Sequence, residues 1–181
     1  MVGYLFAGVD VRKHGSGNAG ATNVYRVAGL VAAVIATVLD LAKGALPVFG
    51  ARLLLPDADW FQVAAGFAAV VGHIFPLFAG FKGGKGVNTL LGAFAVLLPF
   101  EVMLCIVIFG TAFAVSRVVS ISSITAGVSL SLIVLIEKYI AGKNIPTVLL
   151  CACIAVSLLL LFTHRANIRR LVKGEETKLS R

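Results

Sequence analysis

The chain has 181 residues, of which 59% are hydrophobic and 13% charged, with a mean hydropathy of +1.00 and a formal net charge of +8. Soluble domains carry about 25% charged residues, so this composition excludes an ordinary soluble domain and points to an integral membrane protein. The positive excess belongs to membrane-facing loops and anionic headgroups, which argues against nucleic acid as a partner.

Residues 3–9 are apolar but far short of the ~20 residues a crossing needs, and read as the inner end of a helix. No secretory leader is visible, because Asp10 follows at once. Residues 10–26, DVRKHGSGNAGATNVYR, are polar, basic and glycine-rich. Val27–Leu55 is a long apolar run broken by Asp40, Lys43 and Arg52. Asp40 and Lys43, at i and i+3, share a helix face and can pair, as a structural ion pair or as a substrate contact.

Pro56, Asp57 and Asp59 form a short loop, and Trp60 suits an interfacial anchor. Trp60–Phe81 is the next span, ending in GHIFPLFAGFKGGKGVNT (72–89), where Pro76 stops the helix. His73 there reads as a structural hydrogen-bonder. Val87–Leu98 and Glu101–Val115 are two shorter apolar segments split at Pro99, and 116–123 is a polar break. Spans at Ile124–Ile140 and Thr147–Thr163 follow, then a basic tail from His164. The expected architecture is an all-α polytopic membrane bundle, one domain over 1–181, with six spanning segments and a partial N-terminal one.

Loop charge sets orientation. Residues 10–26, 82–86, 116–123 and 164–181 hold twelve Lys and Arg, the remaining loops only Arg52, Lys138 and Lys143. The first set is therefore expected in the cytoplasm, with both glycine-rich loops on one face.

GSGNAG (15–20) fits the G-x-G-x-x-G pattern, but it lies between membrane helices and not in a βαβ unit. GFKGGKG (80–86) lacks the first Gly and the final Ser/Thr of a Walker A loop. A dinucleotide fold and an NTPase are both rejected. The shared physics remains: backbone N–H groups and a cation aimed at phosphate. His164 and Asn167, at i and i+3, face the same way, while Arg165 and Arg170 read as interfacial anchors. Cys105, Cys151 and Cys153 lie in apolar runs without partners for a metal site, so no metal and no cofactor is expected.

GSGNAGATNVYRVAG (15–29), D-x-x-K-G (40–44), GHIFPLFAGFKGGKGVNT (72–89), SISS (120–123) and H-x-x-N-x-x-R-x-x-x-G-x-E (164–176) occur in this order. Together they resemble the bacterial acyl-phosphate:glycerol-3-phosphate acyltransferases, the PlsY family, over nearly the whole chain. The G-S-I-P-type segment that family members carry in a full first helix has no counterpart before GYLFAGV. The resemblance implies a multi-pass inner-membrane enzyme with site and C-terminus in the cytoplasm. It implies acyl phosphate and glycerol 3-phosphate as substrates, and lysophosphatidic acid and phosphate as products. It places catalytic roles on Ser16, Arg26, Lys85, His164 and Asn167. Substrate binding falls by the same resemblance on Gly15, Gly17, Asn18, Gly20, Thr22, Asn23, Gly83, Gly84, Gly86 and Ser122. Membrane lipid is the other partner, and a monomer is expected. From the residues alone, a membrane permease for a phosphorylated metabolite, with Asp40 and Lys43 on its path, remains the alternative.

Overall fold

Proline, glycine and polar clusters cut the apolar sequence into eight α-helices in the computed structural model, which describes residues 2–179. They are α1 (Val2–Ala7), α2 (Ala21–Leu54), α3 (Asp59–Ile74), α4 (Val87–Leu97), α5 (Pro99–Ser116), α6 (Val119–Tyr139), α7 (Thr147–Thr163) and α8 (Arg165–Val172). No strand occurs among the described residues, and the all-α membrane bundle stands.

Four helices, α2, α3 (with the turn after it), α5 and α6, are long and apolar enough to cross a bilayer, and α7 joined to α8 across a 60° bend makes a fifth. Helix α4 has 11 residues and rises only about 16 Å, against a hydrocarbon core of about 30 Å. Large apolar side chains such as Leu46, Phe49, Leu53, Met103, Val107, Leu132 and Leu158 are exposed around the bundle. In water this would be a liability; in lipid it is the expected surface. Val48, Val70, Phe94, Val134 and Val156 fill the interior.

Two boundaries differ from those read in the sequence. The 116–123 segment is not a long break: α5 ends at Ser116 and α6 begins at Val119. Serines tolerate helix by donating to the carbonyl four residues back, as Ser116 does to Ala112, Ser122 to Val118 and Ser123 to Val119. Helix α2 begins at Ala21 rather than Val27, because Gly29 at φ 81° separates a short N-terminal helix from the long one. That backbone angle is open to glycine and costly for other residues. The short piece, 21–28, carries Thr22, Asn23 and Arg26 at an angle the long helix could not give them.

Helices α2 and α4 touch backbone to backbone. A Cβ on Gly44 would lie 1.9 Å from the Thr89 carbonyl oxygen, and one on Gly92 would lie 2.0 Å from that of Leu41. At the end of the bundle away from the glycine-rich loops, Lys143 pairs with Glu137 at 2.5 Å, and Lys138 donates to the Ile145 carbonyl.

Candidate active site

The loop before α2 is built around one side chain. Asn23, 2% exposed, donates through Nδ2 toward the carbonyls of Val11 (2.8 Å), His14 (3.0 Å) and Asn18 (2.9 Å). Its Oδ1 accepts from the Ser16 N–H at 2.8 Å. Asn18 Oδ1 accepts from the Gly20 N–H at 2.8 Å. Asn23 therefore spends its hydrogen-bonding capacity on the loop, which brings Ser16 and the glycines to the surface; a direct substrate contact is not what its geometry serves. Arg12 clips this loop to the second one. Its Nη1 donates to the Ala79 carbonyl at 2.6 Å, and its Nη2 pairs with Asp10 at 2.8 Å. The Arg12 hydrogen bonds hold the Asp10 carboxyl well below its usual range.

The second loop, 80–86, leads into α4 through Gly86. No side chain caps α4 or α2, and no protein group among the described residues accepts the N–H of Gly84, Lys85 or Gly86. Uncapped helix N-termini with free amides attract anions. Lys85 Nζ donates to Asn167 Oδ1 at 2.5 Å. Burial, with help from the nearby Arg170 and Arg26 charges and against the pull of Glu176, lowers the Lys85 ammonium to about 8.

At the junction of α7 and α8, His164 closes one helix and opens the next. It is 2% exposed, and its Nδ1 lies 2.9 Å from the Leu160 carbonyl. That contact places the proton on Nδ1 and leaves Nε2 as an acceptor. Burial, then the Lys85 charge, lowers His164 to about 4, so it is neutral at pH 7. Asn167 faces Lys85 with Oδ1 and donates through Nδ2 to Glu176. Glu176 also accepts from Ser120 Oγ (2.8 Å) and from Arg170 Nε (2.6 Å). Burial pushes its carboxyl up, but the Asn167, Arg170 and Ser120 hydrogen bonds outweigh burial and hold it low.

These groups surround one cavity of about 1420 Å³. Gly15, Ser16, Gly17, Asn18, Gly20, Thr22, Asn23, Arg26, Gly83, Gly84, Lys85, Gly86, His164 and Asn167 all line it. Ser122 does not. It is fully buried among the helices and bonded to Val118, and its neighbours Ser120 and Ser123 stand at the wall instead. One helical step rotates a side chain by about 100°, which is enough to turn Ser122 away. Arg170 is not a simple interfacial anchor, since it is paired with Glu176. The i, i+3 spacing that links His164 to Asn167 also links Asn167 to Arg170, and was the available signal for it. Arg26 is exposed and has no hydrogen-bond partner among the described residues, leaving its guanidinium free at the cavity. The expected Asp40–Lys43 pair forms at 2.9 Å. On the membrane side the cavity wall becomes apolar at Val34, Val38, Phe109 and Phe162.

The family model for glycerol-3-phosphate acyltransferase matches residues 1–174. The glycerol-3-phosphate acyltransferase of Anaeromyxobacter dehalogenans (strain 2CP-C) is 44% identical, covering 99% of this chain and 88% of that protein. That of Chlorobaculum tepidum is 40% identical, covering 99% of this chain and 89% of that protein. The crystal structure of PlsY (YgiH), an integral membrane glycerol 3-phosphate acyltransferase in its glycerol 3-phosphate form, is similar with a TM-score of 0.89. The two are 37% identical, with 98% of this chain and 88% of that one covered. Its lysophosphatidic acid form gives a TM-score of 0.83 at 36% identity, covering 91% and 81%. Coverage at this level takes in the loops that form the cavity as well as the helices that carry it, and this chain therefore belongs to the glycerol-3-phosphate acyltransferase family and is a membrane acyltransferase.

Proposed function

We propose that the chain transfers a fatty acyl group from acyl phosphate to glycerol 3-phosphate, acting as a single-domain monomer in the bacterial inner membrane. Its long apolar helices thread the bilayer with the cavity and the C-terminus toward the cytoplasm. The observation that carries the reading is the cavity itself. Two uncapped helix N-termini, Arg26 and Lys85 meet there, and its opposite wall is apolar. Both substrates carry phosphate and one carries a chain that stays in lipid.

The glycerol hydroxyl oxygen attacks the acyl carbonyl carbon, a new ester C–O bond forms, and the bond from the acyl carbon to the phosphate oxygen breaks. Inorganic phosphate leaves with the electron pair. Acyl phosphate is already activated, so no covalent enzyme intermediate is required. Arg26 and Lys85 hold the phosphates, and the loop amides with Ser16 donate to phosphate or to the developing oxyanion. His164, neutral and with Nδ1–H engaged at Leu160, accepts from the substrate hydroxyl at Nε2 and orients it. The hydroxyl proton passes to phosphate. Asn167 aims Lys85. Gly15, Gly17, Asn18, Gly20, Thr22, Gly83, Gly84 and Gly86 shape the phosphate sites, and Asn23 holds the first loop in place.

The test is an assay in detergent. Phosphate release from acyl phosphate that depends on glycerol 3-phosphate, with lysophosphatidic acid formed, is the expected result. It is lost in Lys85→Ala, which still inserts. Product formation only from another acyl donor would overturn the donor assignment, and full turnover in Lys85→Ala would overturn the role of that loop.

A further inference from the structure

The loop that carries Lys85 makes few hydrogen bonds of its own among the described residues. Gly83, Gly84 and Gly86 impose little conformation of their own, and the amides from Gly84 to Gly86 are free of protein partners among the described residues. Beside the Arg12 clip at Ala79 and the Lys85–Asn167 hydrogen bond, the loop is held from α3. The Gly83 N–H donates to the Ile74 carbonyl at 3.1 Å. A Cβ on Gly84 would stand 2.3 Å from Nε2 of His73, 3.1 Å from its Cε1 and 3.2 Å from its Cδ2. The imidazole edge is thus pressed against the Gly84 backbone, one residue before Lys85.

The ring is itself held from behind. His73 Nδ1 lies 3.4 Å from Asp40 Oδ1, and the same oxygen accepts from Lys43 Nζ at 2.9 Å. The side chains of His73 and Asp40 are each 10% exposed, and both residues line the cavity. A carboxylate on the Nδ1 side keeps the proton there and fixes which ring edge meets the loop. A residue that only filled space would not need a buried carboxylate to orient it, since burying that charge is costly. Three elements are joined this way: α2 through Asp40, α3 through His73, and the loop before α4 through Gly84.

We propose that His73, oriented by Asp40, is a positioning residue for acyl transfer, its ring setting the place of the Gly84–Lys85 backbone and so the aim of Lys85 and the loop amides at phosphate. The proposal rests on the loop holding a substrate phosphate as inferred above. Small displacements of positioned groups cost large factors in rate, so the effect should appear in kinetics before it appears in folding.

The experiment is a cycle of His73→Ala, Gly84→Ala and the double variant in the full chain in detergent. It reads kcat and KM for each of the two phosphate substrates, together with thermal melting. Either single variant is expected to lose at least tenfold in kcat/KM for one phosphate substrate, with the other changed less than threefold. The double variant is expected to be no worse than His73→Ala alone, because the methyl on Gly84 then meets empty space. Losses that multiply would mean ring and loop act independently and would overturn the proposal. So would equal losses for both substrates that track a fall in melting temperature, the mark of a merely structural role. His73→Asn covers the case in which His73→Ala fails to fold, since it keeps a donor toward Asp40 and gives up the edge at Gly84. Its expected result is a raised KM at wild-type melting temperature, and wild-type kinetics in it would sink the proposal. If Lys85→Ala keeps full turnover, the phosphate reading of the loop has failed. If Lys85→Ala is inactive while His73→Ala and His73→Asn are both normal, only the role of His73 has.

Discussion

Lys85 and Arg26 approach the same cavity in different ways, and their replacements should differ accordingly. Lys85 is partly buried and falls to about 8 through burial first, then the neighbouring cations, with Glu176 opposing. In the free enzyme it is charged below that pH and loses its proton above it. The kcat/KM for the substrate it holds should therefore fall about tenfold per pH unit on the alkaline side of about 8. Lys85→Arg, whose guanidinium stays charged, should abolish that limb even where turnover is reduced; an unchanged limb in this variant would assign the titration elsewhere. Arg26 is exposed and unpaired among the described residues, so its planar fork is free for bidentate phosphate binding. Arg26→Lys keeps the charge but should lose at least tenfold in turnover, about 1.4 kcal/mol of barrier, in assays normalised to inserted protein. Much of the proposed chemistry starts from residue types, because Gly-rich turns beside a cation suit phosphate. The partners could not. Arg12 looks like one more loop charge until it meets Ala79, 67 residues away, and Ser122 looks like its neighbours until the helix turns it inward.

At the scale of helices, the spacing between the two glycine-rich loops depends on how closely α2 and α4 approach. Gly44 and Gly92 let the two backbones touch, the usual device where lipid gives helices no hydrophobic reason to associate. Gly44→Ala would push a methyl against the Thr89 carbonyl and the Ala93 amide, at 1.9 and 2.8 Å, and both are rigid helix backbone. A cost of about 1–3 kcal/mol is expected, seen as a lower melting temperature in detergent and a parallel loss of acyl transfer. Gly50, in the same helix, faces open space: a methyl there would meet nothing within 4 Å. Gly50→Ala should be neutral or stabilising by up to about 1 kcal/mol. Equal behaviour of the two variants would mean that the close contact does not set the helix separation. The D-x-x-K-G pattern shows that a small residue sits one turn after Asp40; that its partner is α4 depends on how the bundle folds.

Across the whole molecule, the hydropathy profile carried the helical membrane class, and the resemblance of five motifs carried the enzyme class, setting the permease alternative aside. Segment boundaries were harder to read. Serine is polar enough to look like a loop yet satisfies itself inside a helix, and an 11-residue helix looks like a span when only its composition is counted. What the fold adds is convergence. The loops at 10–20 and 80–86, the start of α6 and the segment from His164 to Leu179 are tied together by Arg12 to Ala79, Lys85 to Asn167, Ser120 to Glu176 and Leu179 to Arg117. They must then lie on one side of the membrane, so labelling any one of them orients all. The Lys and Arg asymmetry predicts that this side is the cytoplasmic one, as proposed above. With Cys105, Cys151 and Cys153 replaced by Ala, Lys178→Cys should react with an impermeant maleimide only after inverted vesicles expose the inner face. Asp57→Cys, in the loop between α2 and α3, should react only in intact cells. The reverse pattern would place the phosphate cavity outside, away from a cytoplasmic supply of both substrates, and the proposed reaction would lose its setting. Labelling of both positions from the same side would be worse for the fold, since α2 would then not cross the membrane.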